Sequence, residues 1–144
     1  MTRSSGFSLI ELLVVVAIIG ILSAVGVVSY NGYVSGTKKK AAENVLVQIG
    51  LAQTDHYADC ATYYSTARNY CDAPAAEEKC SPTAETTENL GDDLFSNKNY
   101  IDQNNGFLYC IYSPTVTSYK TVAKGLGDCE LIIDDTGVVD KSGC

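Results

Sequence analysis

The segment M-T-R-S-S-G-F-S-L-I-E-L-L-V-V-V-A-I-I-G-I-L-S-A-V-G-V-V, Met1 to Val28, decides how the rest of the chain is read. Its stretch from Leu12 to Val28 holds 17 residues without a charge. As a helix these rise about 26 Å, close to the roughly 30 Å of a bilayer's hydrocarbon core. A removable secretory signal has a basic start, a shorter apolar run and a small-residue cleavage site behind it. Here Arg3 is the sole basic residue ahead of the run, and the run passes into amphipathic sequence. The segment is therefore expected to stay with the protein.

One carboxylate, Glu11, interrupts the apolar stretch four residues after Phe7. A lone charge in hydrocarbon costs about 2.5–3.5 kcal/mol even on mild insertion scales, so it requires a partner or a polar setting. No Lys, Arg or His follows within two helical turns. The compensating charge is expected from outside the helix. An amino terminus made by cutting between Gly6 and Phe7, on this subunit or on one stacked about a turn along, supplies it. A single-pass anchor that holds Glu11 in the headgroup layer is the other arrangement.

G-F-S-L-I-E-L-L-V-V-V-A-I-I-G-I-L, Gly6 to Leu22, resembles the N-terminal signature of the type IV pilins and of the pseudopilins of type II secretion. The resemblance implies that a prepilin peptidase removes a leader, residues 1–6, by cutting after Gly6. It also implies N-methylation of Phe7, and pairing of Glu11 with the terminal amine of an adjacent subunit that sets the register of assembly. Many type IV pilins have Pro where this chain has Val28, at the end of a segment that loses helicity in the filament. Gly20 and Gly26 each lower helix propensity by about 1 kcal/mol relative to Ala, so they mark either local melting or close helix packing.

Beyond the apolar segment there is room for one small domain in the 144 residues. The net charge of −7 argues against a DNA-binding surface, which needs a basic patch. No phosphate-binding loop occurs and no cofactor is expected, so energy for assembly would come from partner machinery. The six cysteines, Cys60, Cys71, Cys80, Cys110, Cys129 and Cys144, all follow the apolar segment and point to an oxidising compartment. None forms C-x-x-C, and His56 is the single imidazole, which favours disulfides over a zinc site. Six cysteines allow fifteen connectivities, and spacing alone does not choose among them.

Tyr30 and Tyr33 suit the headgroup interface. Lys38, Lys39 and Lys40 then outnumber Arg3, so charge count alone puts the C-terminal part in the cytoplasm. The cysteines, and a family whose leader is cytoplasmic, put it on the other side. From Lys38 to Ala58, Ala42, Val45, Leu46, Ile49, Ala52 and Tyr57 recur with helical spacing, Val47 and Leu51 lying at the flank of the stripe. An unbroken helix from Phe7 to Ala58 results, its first part (7–30) in membrane or filament core and its continuation (31–58) the spine of a domain. His56, near its end, is expected to be partly exposed and carries no enzymatic role.

Residues 59–105 read as a polar loop punctuated by Pro74 and Pro82, with a short helix possible at Ala75 to Cys80. Crosslinks Cys60–Cys71 and Cys80–Cys110 would make so long a loop reasonable. From Gly106 the pattern alternates: Phe107–Tyr112, Tyr119–Ala123 and Cys129–Asp134 read as strands separated at S-P-T and K-G-L-G-D, with a short fourth at Val138 and Val139. The 106–144 region is thus an antiparallel sheet of three to four strands facing the helix, and the fold class is α+β, of the pilin type. Pairing Cys129 with Cys144 closes a loop of about 15 residues, worth roughly 3 kcal/mol in the chain-entropy model. It also matches the disulfide-bounded C-terminal region that the resemblance implies. Major pseudopilins hold calcium in a similar region, which makes Asp128, Asp134, Asp135 and Asp140 alternative oxygen ligands, although D-D-T-G is also an ordinary hairpin turn.

The reading is a non-enzymatic subunit, first embedded in the inner membrane and then polymerised into an extracellular helical filament. Its implied partners are its own copies, the prepilin peptidase, an inner-membrane assembly platform with its ATPase, and minor pilins. Attachment, twitching motility or DNA uptake are the family's uses of such a filament. A type II secretion pseudopilin and a minor pilin are the alternatives.

Overall fold

The computed structural model describes residues 6–68, 71–74, 79–125 and 127–144. Without Pro, and with Ser8 ahead of a long apolar run, the first part of the chain has no reason to break, and α1 runs Leu9–Cys60 over 52 residues. The chain divides into two units, Met1–Thr37 and Lys38–Cys144. In the first, the apolar side chains of Leu9 to Val28 are exposed, and α1 is long and apolar enough to cross a membrane. An added Cβ at Gly20 or Gly26 would meet no atom within 4 Å, so nothing inside a single chain calls for glycine there.

In the second unit the helical stripe is Ala42, Leu46, Ile49, Gln53 and His56, all buried. It shares a core with Tyr109, Ile111, Ala123, Leu131 and Ile133 from a four-stranded antiparallel sheet. The strands are β1 (Leu108–Thr115), β2 (Ser118–Lys124), β3 (Glu130–Asp134) and β4 (Val139–Ser142), in that spatial order. Register places Ala123 beside both Tyr109 and Leu131, so these odd-numbered residues share one face, as a period of two requires. Val47 and Leu51 lie off this core, 51% and 66% exposed.

Several features differ from the sequence reading; among them, α1 begins at Leu9 and not at Phe7, and the fourth strand runs Val139–Ser142. S-P-T does not end β1. The strand continues through Pro114 with a register irregularity between Tyr112 and Thr115, and the turn falls at Val116–Thr117. Proline is tolerated there because β1 is an edge strand, where a missing N–H breaks no ladder. α1 runs two residues past Ala58. The region 59–105 is not all loop, since α2 spans Ala84–Phe95. Thr83 caps α2 and Thr86 bonds back to the Thr83 N–H, a reciprocal capping box built from two threonines. Gly91 lets the following turn close, because a Cβ there would stand 2.8 Å from the Asn97 carbonyl oxygen. The short helix considered at Ala75 to Cys80 falls largely on 75–78, outside the described residues.

His56 is a further difference. It is 3% exposed, held by a 2.9 Å hydrogen bond between Nδ1 and the Thr62 carbonyl and by an edge-on contact with the Tyr64 ring. Its neighbour on the stripe, Gln53, uses its amide as a strand would. Nε2 donates to the Tyr64 carbonyl (3.0 Å) and Oε1 accepts from the Tyr64 N–H (2.8 Å). The chain leaving α1 is thereby bonded back onto it.

Among the described residues no strand lies beside the outer edge of β1, yet its polar groups are engaged. Tyr109 N–H donates to Thr87 Oγ1 (2.9 Å) and its carbonyl accepts from Thr86 Oγ1 (2.8 Å). The Ile111 carbonyl accepts from the N–H and the Oγ1 of Thr66, each at 3.0 Å, and the Ser113 carbonyl from Arg68 at 3.1 Å. Side chains of the connecting region thus cover the edge, a known protection against strand addition.

Candidate functional site

The site built by the first unit lies at the N-terminus of α1. Gly6, Phe7 and Ser8 are not helical and are exposed, so the Gly6–Phe7 peptide bond is presented in an open segment just ahead of the helix. Phe7 is 76% exposed. Ser8 caps the helix. Its Oγ accepts from the Glu11 N–H (3.3 Å), while its own N–H (2.9 Å) and hydroxyl (2.7 Å) donate to Glu11 Oε2. This is a capping box, S-L-I-E: the carboxylate has two neutral donors three residues away, ahead of the helix, besides the compensating charge expected from outside it. The S-x-x-E spacing ahead of an apolar run was the available signal.

Both Ser8 donors fall on one oxygen, Oε2. The carboxylate belongs to a shallow apolar groove of about 410 Å³ lined by Phe7, Ile10, Glu11, Val14 and Val15. An anion in the first turn is favoured by the helix dipole, whereas a cationic amine at the same end is not. Chemically the site is a hydrogen-bonded carboxylate in an apolar strip beside an accessible peptide bond, suited to receiving a cation together with apolar surface.

The second unit brings the cysteines together as Cys60–Cys71, Cys80–Cys110 and Cys129–Cys144. The last closes the C-terminus beside Gly143, whose φ of +63° and lack of a Cβ are both needed, since a Cβ would overlap the Asp128 carbonyl. Lys39 Nζ donates to the Cys144 carbonyl oxygen (2.7 Å), and Glu43 accepts from Lys141 (2.7 Å) and Lys40 (2.8 Å). These two lysine bonds hold the Glu43 carboxyl below its ordinary range, Lys141 contributing most. Asp134 is taken up in its turn by Thr136, whose N–H donates to Oδ1 at 3.0 Å. Among the described residues Asp128, Asp134, Asp135 and Asp140 do not converge on one point; His56, Cys60 and Cys71 do.

The prokaryotic N-terminal methylation motif matches residues 1–27. The type IV major fimbrial protein FimA of Dichelobacter nodosus is 52% identical over 46 residues, 32% of this chain and 28% of the relative. The fimbrial protein EcpC of Eikenella corrodens is 41% identical over 54 residues, 38% of this chain and 35% of the relative. The chain spans less than half the length of these curated relatives, and the similarity lies in sequence no longer than the apolar helix and its continuation. No solved structure gives a significant match. A methylation motif at residues 1–27, similarity to fimbrial proteins over about a third of the chain, and a long apolar helix followed by a four-stranded antiparallel sheet match the architecture of a type IV pilin.

Proposed function

We propose that this chain, similar over about a third of its length to type IV fimbrial subunits, is a structural pilin that is cut between Gly6 and Phe7, methylated on Phe7 and polymerised into a type IV pilus. The observation that carries the proposal is Glu11, a single carboxylate in an exposed apolar helix long enough to span a bilayer, four residues from the residue that would become the new amino terminus. Cleavage creates a cation at the positive end of the helix dipole, where it is disfavoured unless a carboxylate is near. Glu11 answers that charge on an adjacent copy, and the groove around it takes up the apolar part of the incoming terminus.

Before assembly the subunit resides in the inner membrane, and afterwards in an extracellular filament. A prepilin peptidase, an assembly platform, its ATPase and minor pilins act on it. α1 supplies cohesion in the filament core, with Gly20 and Gly26 as points of melting or close approach. The exposed Val47 and Leu51 are available to a neighbouring copy. The role is structural and not enzymatic. Electron microscopy and mass spectrometry of sheared surface material test it: the polypeptide should be the bulk component and begin at methylated Phe7. Recovery of a solitary chain that still begins at Met1 would overturn the reading.

A further inference from the structure

The last turn of α1 carries a cluster that assembly of a filament does not use. Cys60 is partly exposed, Cys71 is exposed, and His56 is buried beneath them. A ring nitrogen of His56 and the two sulfurs all lie within 4.8 Å of one another. A carbonyl can only accept, so the 2.9 Å contact with the Thr62 oxygen puts the ring proton on Nδ1 and the coordinating lone pair on Nε2. Metal-bound imidazoles are oriented in this way, one nitrogen donating to a carbonyl and the other ligating. Cys71 is exposed and Cys60 partly so, which leaves the cluster reachable from solvent.

We propose that His56, Cys60 and Cys71 form a binding site for a zinc-class metal ion when the Cys60–Cys71 bridge is open, so that bridge and ion are alternative occupants of one place. A dithiol opens the bridge: two electrons and two protons pass to the sulfurs, the S–S bond breaks, and the dithiol becomes a disulfide. Metal binding then displaces the two thiol protons and leaves two thiolates and one imidazole on the ion, with a fourth position open to water. Two sulfurs at about 2.3 Å from a tetrahedral ion stand roughly 3.8 Å apart, a separation that the broken bond permits. Ala61 and Cys71 have φ of 55° and 68°, strained for residues other than glycine. These two positions therefore gain from a tie between Cys60 and Cys71, and the ion supplies one when the bridge does not.

The test uses the full-length chain in detergent, with cobalt(II) or zinc(II) as the probe and alkylation mapping to report the fraction with Cys60 and Cys71 free. The oxidised protein should bind none. The opened protein should bind about one ion per chain in proportion to that fraction, with a thiolate-to-cobalt charge-transfer band. Cys60→Ser/Cys71→Ser should abolish binding, and His56→Ala should weaken it about tenfold or more while its bridge still forms on oxidation. Zinc should raise the melting temperature of the opened wild type and not that of opened His56→Ala, since only an ion bound to the folded state stabilises it. Binding by the oxidised protein or by the double serine variant, equal affinity in His56→Ala, no binding to the opened chain, or binding without a rise in melting temperature would each overturn the proposal.

Discussion

Ser8 and Glu11 form a reciprocal pair, and their separate contributions can be measured. Removing a capping hydroxyl typically costs about 1 kcal/mol of helix stability, too little to prevent insertion of a helix whose next 17 residues are uncharged. Glu11→Ala should leave the protein in the membrane fraction and abolish filaments. Ser8→Ala should keep insertion and reduce the filament yield, because the carboxylate loses its two local donors. Normal filaments from Glu11→Ala, seen by electron microscopy of sheared material, would remove Glu11 from assembly. Gln53 is the counterpart in the second unit. Replacing it by Leu leaves the buried N–H and carbonyl of Tyr64 without their partners, at about 1–3 kcal/mol for each group. Gln53→Leu should therefore lower stability by roughly 2–6 kcal/mol in urea unfolding with the disulfides intact.

At the scale of elements, α1 and the strands were legible because long periodic patterns are local. The apolar run, the stripe at Ala42, Leu46 and Ile49, and the alternation in β1 to β3 each repeat over enough residues to announce their period. α2 was not legible. A-E-T-T-E-N-L-G-D-D-L-F contains few apolar residues, and its start is marked by two threonines instead of the usual acid in the capping box. The burial of His56 and Gln53 was also hidden, since their partners, Thr62 and Tyr64, belong to a loop whose path no periodicity gives. The same holds for the edge of β1, where Thr87 is buried by a strand distant in sequence. Thr87→Val keeps the shape but leaves the Tyr109 N–H unbonded. The expected loss is about 1–3 kcal/mol, checked by thermal or urea unfolding, and a neutral result would mean that the edge draws nothing from α2.

For the whole molecule, charge sets two pH limits. Glu43, its side chain 18% exposed, has its carboxyl lowered by Lys141 and Lys40. A depressed carboxyl contributes stability present above the unfolded value, about 4.3, and lost as pH falls through the lower folded value. Glu43→Gln should accordingly flatten the acid limb of the melting curve below about pH 4.3 and reduce stability modestly at neutrality. The alkaline limit comes from Tyr109 and Tyr64. Burial pushes the Tyr109 hydroxyl up to about 12 and raises that of Tyr64 as well. The sign is opposite here: the neutral phenol is the folded form, so stability is complete below about pH 10 and declines as pH rises toward 12. Tyr109→Phe should blunt that decline in melting temperatures taken across the window.

The covered edge of β1 bears on how such subunits are stored. A bilayer holding many copies concentrates them, and concentrated sheet proteins are prone to irreversible cross-β growth. On one side the ladder positions are already taken by Thr66, Arg68, Thr86 and Thr87. On the other, β4 offers only four residues and carries Asp140 and Lys141. In the filament proposed for this chain, strand recruitment is thus discouraged at both margins of the sheet, and growth is left to the helices.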